Sequence, residues 1–274
     1  MTSGSNTVVI SCVNLKGGVG KTAISVNFAA YCGRNNLKTL LVDLDPQTNA
    51  TFSCISPEDW QTHATKKGTV ANLLGVRQHT SAEDKPKTAT NVLYKNVFKN
   101  VDLIPSHVEL FTIDLDLGPE VARETRLRRA MKDIIDDYDI VVCDCPPNLT
   151  IPTQNAIAMS THYVIPVSPD FLSSLGIALL LSRVKKLSDE LESPIEHAGI
   201  IMSRVGRPSF FRTQTIKSLR ATFEDKVFST EIRERSAVSE SAAKNMSIFD
   251  MGDAEAIREF TNFGNELLIE LGLK

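Results

Sequence analysis

The sequence has little net charge: 30 Lys and Arg stand against 33 Asp and Glu, a formal −3. Nothing global draws such a chain to nucleic acid or to an anionic membrane, so any contact of that kind has to come from a local patch. Long apolar runs are missing too, and none approaches the roughly 18 residues of a membrane-spanning helix. The opening MTSGSNT is short, polar and without charged side chains, so no signal peptide is expected there. The five cysteines, Cys12, Cys32, Cys54, Cys143 and Cys145, are odd in number and scattered, which argues against a disulfide framework. Reduced thiols acting as small core hydrophobes fit a cytosolic compartment. Cys143 and Cys145 alternate along a strand and share a face, but no second pair at metal-binding spacing exists. His63, His79, His107, His162 and His197 are dispersed, and none is placed as the base of a catalytic triad. Internal repeats and low-complexity tracts are absent, as is any composition shift that would mark a second domain.

What is present suffices for a sizeable core. At 274 residues, 42% hydrophobic and 23% charged, the chain fits one α/β domain spanning 1–274. Short β-branched runs occur at 7-TVVISCV-13, 39-TLLVDLD-45, 101-VDLIP-105, 139-DIVVCDC-145, 163-YVIPVS-168, 198-AGIIMS-203 and, more weakly, 226-KVFSTEI-232. Helix-period segments lie between them: Lys21 to about Arg34, 123-RETRLRRAMKDIIDDY-138, Leu175 to Leu191, and 254-AEAIREFTNFGNELLIEL-271. Strands alternating with helices predict a mostly parallel twisted sheet of about seven to eight strands with helices on both faces. The polar stretch from about Ser56 to Asn96 breaks the rhythm. Within it, 69-TVANLLG-75 reads as a short helix and 77-RQHTSAEDKPKTAT-90 as a surface loop.

The first strand runs directly into 13-VNLKGGVGKTA-23. A phosphate loop is normally G-x-x-x-x-G-K-[ST], following a strand and opening a helix. Gly20, Lys21 and Thr22 obey that pattern, but Leu15 stands where the first glycine belongs, and an extra lysine, Lys16, precedes Gly17 and Gly18. Glycines let the backbone turn around an anion without a Cβ in the way, and the helix N-terminus adds positive potential. Lys21 can reach terminal phosphates, and the Thr22 hydroxyl can take a Mg²⁺ position. Three carboxylates end strands: Asp43 and Asp45, two apart and on one face, and Asp144 before Pro146-Pro147. Carboxylates at the C-terminal ends of parallel strands converge on the crevice where ligands bind.

KGGVGKT, then 40-LLVDLDPQTNAT-51 and 140-IVVCDCPPNLT-150, closely resembles the ParA-type ATPases, deviant Walker-loop proteins related to the Min-system ATPases and the nitrogenase iron protein. The likeness continues in 103-LIPSHVEL-110 and 163-YVIPVSPDFLSSLGI-177, and more loosely in 230-TEIRERSAVSESAAKNMSIFD-250. It implies a P-loop NTPase architecture of the deviant Walker A (SIMIBI-like) kind, with ATP and Mg²⁺ as cofactors. Gly17, Gly18, Val19, Gly20, Lys21, Thr22 and Ala23 would bind the nucleotide, and Lys16 would reach the phosphates of a second subunit in an ATP-sandwich homodimer. A lysine given in trans acts like an arginine finger, and it makes the dimer depend on the anion between the halves. By the same resemblance, Asp45 positions or polarises the attacking water, Asp43 supports the Mg²⁺ shell, and Asp144 holds a metal-bound water. Each of these carboxylates has a plainer alternative, a strand-end group capping the next helix. Ala23 follows Thr22 where relatives often have a second Thr, and Asn148 replaces a common Ser.

Family members divide by what the dimer rides on. Members that use membrane carry a C-terminal amphipathic helix, which wants Lys and Arg on its polar face. Here 265-NELLIELGLK-274 has two Glu and a single basic residue, Lys274, so no membrane contact is expected. Non-specific DNA fits better: Arg204, Arg207, Arg212, Lys217 and Arg220 come without an intervening acid, and Arg233 and Arg235 follow. Arg204 has a second reading in the adenine pocket, because the family places base contacts after that strand. Only about seven residues precede the first strand, so the short form without an N-terminal DNA-binding domain is expected. The resemblance then implies a cytoplasmic, nucleoid-associated ATPase, slow until stimulated by a cargo-binding partner protein. Competing readings are a metabolic or assembly-factor relative, a nucleotide-gated scaffold without DNA affinity, and a Min-like membrane form.

Overall fold

The computed structural model describes residues 7–76, 87–117, 120–170 and 173–274. Most of the predicted 77–90 loop lies outside these residues, as do His79, positions 1–6, and Phe171 and Leu172 of the 163–177 motif.

Each β-branched run became a strand of one sheet. The strands are β1 (Val8–Cys12), β2 (Thr39–Asp43), β3 (Tyr94–Phe98), β4 (Val101–Ile104), β5 (Ile140–Asp144), β6 (His162–Val167), β7 (Glu196–Val205) and β8 (Val227–Arg233). Their order is β3-β4-β2-β5-β1-β6-β7-β8, and only the β3–β4 pair is antiparallel. The helices are α1 (Lys21–Arg34), α2 (Asn49–Cys54), α3 (Pro57–Lys66), α4 (Val70–Leu74), α5 (Ala89–Val92), α6 (Ile113–Asp116), α7 (Arg126–Met131), α8 (Ile151–Met159), α9 (Ser173–Glu190), α10 (Phe210–Phe223), α11 (Ser236–Ala243) and α12 (Ala254–Glu270).

The core is split by the sheet, and the period-2 alternation of the strands shows how. Val9, Leu40, Val42 and Val141 face a layer that includes Val70, Leu127, Ile157 and Ile177, from α4, α7, α8 and α9. Ile10, Leu41, Ile140 and Val142 face the opposite layer, where Phe28 and Tyr31 of α1 meet Phe260 and Phe263 of α12. Gly264 lies flat against Tyr31; a Cβ there would stand 2.4 Å from the ring.

Three elements depart from the expected pattern. Within the polar stretch, β3 forms an exposed edge on β4, and α3 buries little beyond Ala64. The start of α3 was written in capping chemistry instead: Ser56 accepts from the Asp59 amide, Pro57 opens the helix, and Glu58 and Asp59 fill its first turn. The single helix expected over 123–138 is broken into α7 and short 3₁₀ turns. Thr7, entering β1, donates to the Ile135 and Tyr138 carbonyls and so holds this segment's end against the sheet. The apolar stripe is nonetheless placed as expected, with Leu127, Met131, Ile134 and Tyr138 buried.

Candidate phosphate-binding site

The loop between β1 and α1 is held from three sides. Asn14 donates to the Pro166 carbonyl (2.7 Å) at the end of β6 and accepts from the Lys16 amide (2.9 Å). Ser203, in β7, donates to Val19 O, and Arg204 donates to Gly18 O (2.8 Å). Pro147, after β5, leans on Gly17, 3.8 Å from where a Cβ would sit. Gly18 (φ +73°) and Gly20 (φ +87°) take the left-handed conformation that turns the chain into α1.

The two lysines are treated in opposite ways. Lys21 is buried and its ammonium arcs back onto the Lys16 carbonyl (3.0 Å). The Lys16 side chain is half-exposed and pairs with Asp170, beyond β6. Lys21 lines the cavity over the loop; Lys16 is not among its lining residues.

Behind the loop lies a chain of acceptors. Asp144 accepts from Thr22 Oγ1 at one oxygen (2.8 Å) and from Ser25 Oγ at the other (2.9 Å). A Thr22 hydroxyl that gives its proton to Asp144 leaves its lone pairs for a hard cation. Among the described residues, no group of three or more His, Cys, Asp or Glu gathers for direct coordination. A cation here would rest on Thr22, with Asp144 behind it or bridged by water. Ser25 and Asn14 carried no motif signal, because their roles come from partners 119 and 152 residues away.

Asp43 and Asp45 are separated by the fold. Asp43 is fully buried, and its oxygens accept from the Asp45 amide (3.0 Å), the Thr51 amide (2.8 Å) and the Thr51 hydroxyl (2.7 Å). It holds α2 to the end of β2, the capping reading, and it does not line the cavity. Asp45 does line it, with one oxygen accepting from the Gln47 amide (2.9 Å). Asp43 and Asp144 are Cα partners across β2 and β5. Burial pushes the Asp144 carboxyl up to about 6, and the Asp45 charge adds to the rise against the Thr22 and Ser25 hydrogen bonds and Lys21. Burial, then the Asp144 charge, raises Asp43 well above the ordinary carboxylate range. All five cysteines are buried free thiols, and burial pushes Cys143 up to about 12, so none is a ready thiolate ligand.

The cavity, about 710 Å³, runs from Gly17, Lys21, Thr22 and Asp45 to Val238 and Met246, with Arg204 at its edge. A row of amides, one buried ammonium and a hydroxyl backed by a carboxylate suit a polyphosphate with a hard divalent cation.

The expected basic stripe divides. Arg204 (φ +49°) sits over the loop and pairs with Glu234. Arg235 is held by Glu255 and Glu259, and Arg220 by Glu231 and the Phe228 carbonyl. Arg233 is exposed, 3.8 Å from Glu259. Arg207, Arg212 and Lys217 lie on α10 and its lead-in, with Arg212 donating to the Arg207 carbonyl. At the C-terminus, α12 buries Phe260, Phe263, Leu267 and Leu268 in the core, and Glu266 accepts from the Ser229 and Thr230 amides. Among the described residues, no helix is long and apolar enough to cross a membrane.

The model of an AAA domain family matches residues 7–197. Two uncharacterized proteins of Mycobacterium tuberculosis strains are 34% identical over 224 residues, 82% of this chain and 66% of theirs, so the chain spans just under two thirds of their length. The sporulation initiation inhibitor protein Soj of Bacillus subtilis is 31% identical over 240 residues, 88% of this chain and 89% of Soj. The solved structure of a variant of McdA from Cyanothece, in complex with ATP, superposes with a TM-score of 0.81 at 19% identity, covering 99% of this chain and 98% of that one. That likeness concerns the fold; with Soj aligned along most of both chains and the extra-lysine loop intact, the chain belongs to the ParA-type family of deviant Walker-loop ATPases.

Proposed function

We propose that this chain is a positioning ATPase. It binds ATP with Mg²⁺, dimerises face to face around two nucleotides, holds non-specific DNA in that state, and hydrolyses ATP when a cargo-binding partner completes the site. The cargo is a replicon or a protein assembly, and the site chemistry is the same for both. The reading places the protein in the cytoplasm, on the nucleoid.

In this mechanism the loop amides and Lys21 hold the triphosphate, and Thr22, backed by Asp144, holds the cation. Bound Mg²⁺ supplies charge neutralisation on the phosphate oxygens. Asp45, at the cavity wall, orients the water for in-line attack. Asp43 keeps the end of β2 and the start of α2 in place through Thr51, so that Asp45 keeps its position. Lys16 crosses to the partner's phosphates, where charge develops in the transition state. Loss of the terminal phosphate removes that bridge from both halves at once, so nucleotide state sets oligomeric state.

The observation that carries this reading is the division of labour between Lys21, buried over its own loop, and Lys16, turned out onto Asp170. The names of its relatives, a sporulation inhibitor of the Soj type and an ATP-bound McdA, support the same class. Pelleting with non-specific DNA tests it. Retention with ATP but not with ADP is expected, weakened by Arg207→Ala and Arg212→Ala. Binding indifferent to both nucleotide and those arginines would refute it.

A further inference from the structure

The tip of α10 carries two large apolar side chains in water. Phe210 and Phe211 are 73% and 79% exposed, with ring centroids 5.7 Å apart in an edge-on arrangement. They are not a loose end of the core, because α10 already has its buried side. Leu219 is fully buried, and Ile216 and Phe223 pack beside it. The opposite face reads Phe210, Phe211, Gln214, Lys217 and Ser218, all exposed. The lead-in is well fixed: Ser209 caps α10 through the Arg212 amide (3.3 Å), and the Arg212 guanidinium folds back onto the Arg207 carbonyl. From Arg204 to Phe223 there is no acidic residue.

Cations around exposed aromatic rings are the chemistry that grips unstacked bases: rings take the base faces and ammonium or guanidinium groups take the flanking phosphates. Lipid is the less suitable occupant. An interfacial helix needs an apolar face along its length, whereas this one is apolar for a single turn and continues as Gln214, Lys217 and Ser218.

We propose that Phe210 and Phe211 form a stacking wedge on the DNA-binding surface, with Arg207 and Lys217 as its phosphate contacts, so that the protein prefers unpaired or locally opened DNA to intact duplex. This rests on the DNA reading given above and adds the form of DNA that is favoured. Both rings are solvent-facing, so truncating them leaves the fold and nucleotide binding unchanged.

The test is fluorescence anisotropy of the ATP-loaded full chain with labelled oligonucleotides of one length: a single strand, a duplex, and a duplex with an unpaired bubble. The double variant Phe210→Ala/Phe211→Ala is expected to lose about tenfold on the single strand and the bubble, about twofold or less on the duplex, and to keep its salt dependence. Arg207→Ala/Lys217→Ala is expected to weaken all three alike and to lower the salt slope by about two. An unchanged single-strand to duplex ratio in the phenylalanine variant overturns the wedge while leaving the DNA reading intact. Absence of binding to every DNA form with ATP removes the DNA reading itself. Loss of anionic-vesicle binding or of self-association by the phenylalanine variant, with DNA affinities unmoved, assigns the rings to lipid or to a second copy and overturns the proposal.

Discussion

Asp144→Asn should make the nucleotide- and metal-free protein more stable at neutral pH. The Asp144 carboxyl is fully buried, beside the equally buried Asp43 on the neighbouring strand. Its pKa rises from 3.8 to about 6, chiefly through burial. A rise of about two pKa units at 1.36 kcal/mol each means that keeping this group ionised costs the fold about 3 kcal/mol. The sign follows from proton linkage: between about pH 4 and pH 6 the folded state holds this proton and the unfolded state does not, so stability falls as pH rises through that window. Asparagine removes the charge and keeps the shape. Its amide oxygen can take the Thr22 hydroxyl, while its nitrogen donates to Ser25 Oγ, whose own proton is within reach of the Lys21 carbonyl (3.0 Å). Both side-chain heteroatoms thus keep a hydrogen-bond partner. Urea denaturation at about pH 7.5 should therefore show the variant ahead by up to about 3 kcal/mol, with the gap closing as pH falls towards about 4. The same variant should lose the stabilisation that ATP and Mg²⁺ give the parent. A destabilised variant, or a gap independent of pH, would refute the assignment of a buried, costly charge at the end of β5.

Lys16→Ala is expected to abolish ATP-dependent dimers and stimulated turnover while leaving monomer affinity for ATP within about twofold; sedimentation and nucleotide titration check both, and a dimer as strong as the parent's would count against action in trans. Asp170→Asn should do the reverse. An exposed ion pair is worth about 0.2–1 kcal/mol, and a dimer breaks two of them, so the ATP dimer should tighten about 2- to 30-fold; a weaker dimer would show that Asp170 serves the assembled state instead. Gly264→Ala puts a Cβ 2.4 Å from the Tyr31 ring and should lower stability by about 1–3 kcal/mol with ATP affinity unaltered, as read by denaturation and by titration.

The parallel sheet was legible because its strands are covered on both faces, which writes them as unbroken β-branched runs such as 139-DIVVCDC-145. The phosphate loop was legible because its strand–glycine–helix order is local. Elements whose stability comes from caps or from an edge left weaker marks. In α3 the signal is Ser56-Pro57-Glu58-Asp59, not an apolar stripe, and β3 pairs on one side only. Asp43 shows where local reading stops. At a strand end a carboxylate can serve a cation shell or a helix cap, and the capping contacts come from Thr51, eight residues on, which turns its amide and hydroxyl back to it. The basic stripe shows the same limit, since Arg220 and Arg235 look free in sequence but meet Glu231, Glu255 and Glu259 in space.

The opposed placement of the two lysines has a further consequence under the proposed function. Lys16 takes part twice: its side chain reaches outward to Asp170, and its carbonyl reaches inward to the Lys21 ammonium. An anion arriving over the loop competes with that carbonyl for Lys21, because a phosphate oxygen carries full charge and a peptide oxygen only a partial one. Filling the subunit's own site thus loosens one of the ties on the backbone of Lys16, while the Asn14 contact to the Lys16 amide still fixes where the residue starts. The outward side chain has the Asp170 pair to give up before it can cross to a neighbour. The two cations stand five positions apart, and on the proposed function the loop between them would couple what each subunit binds to what it offers its partner.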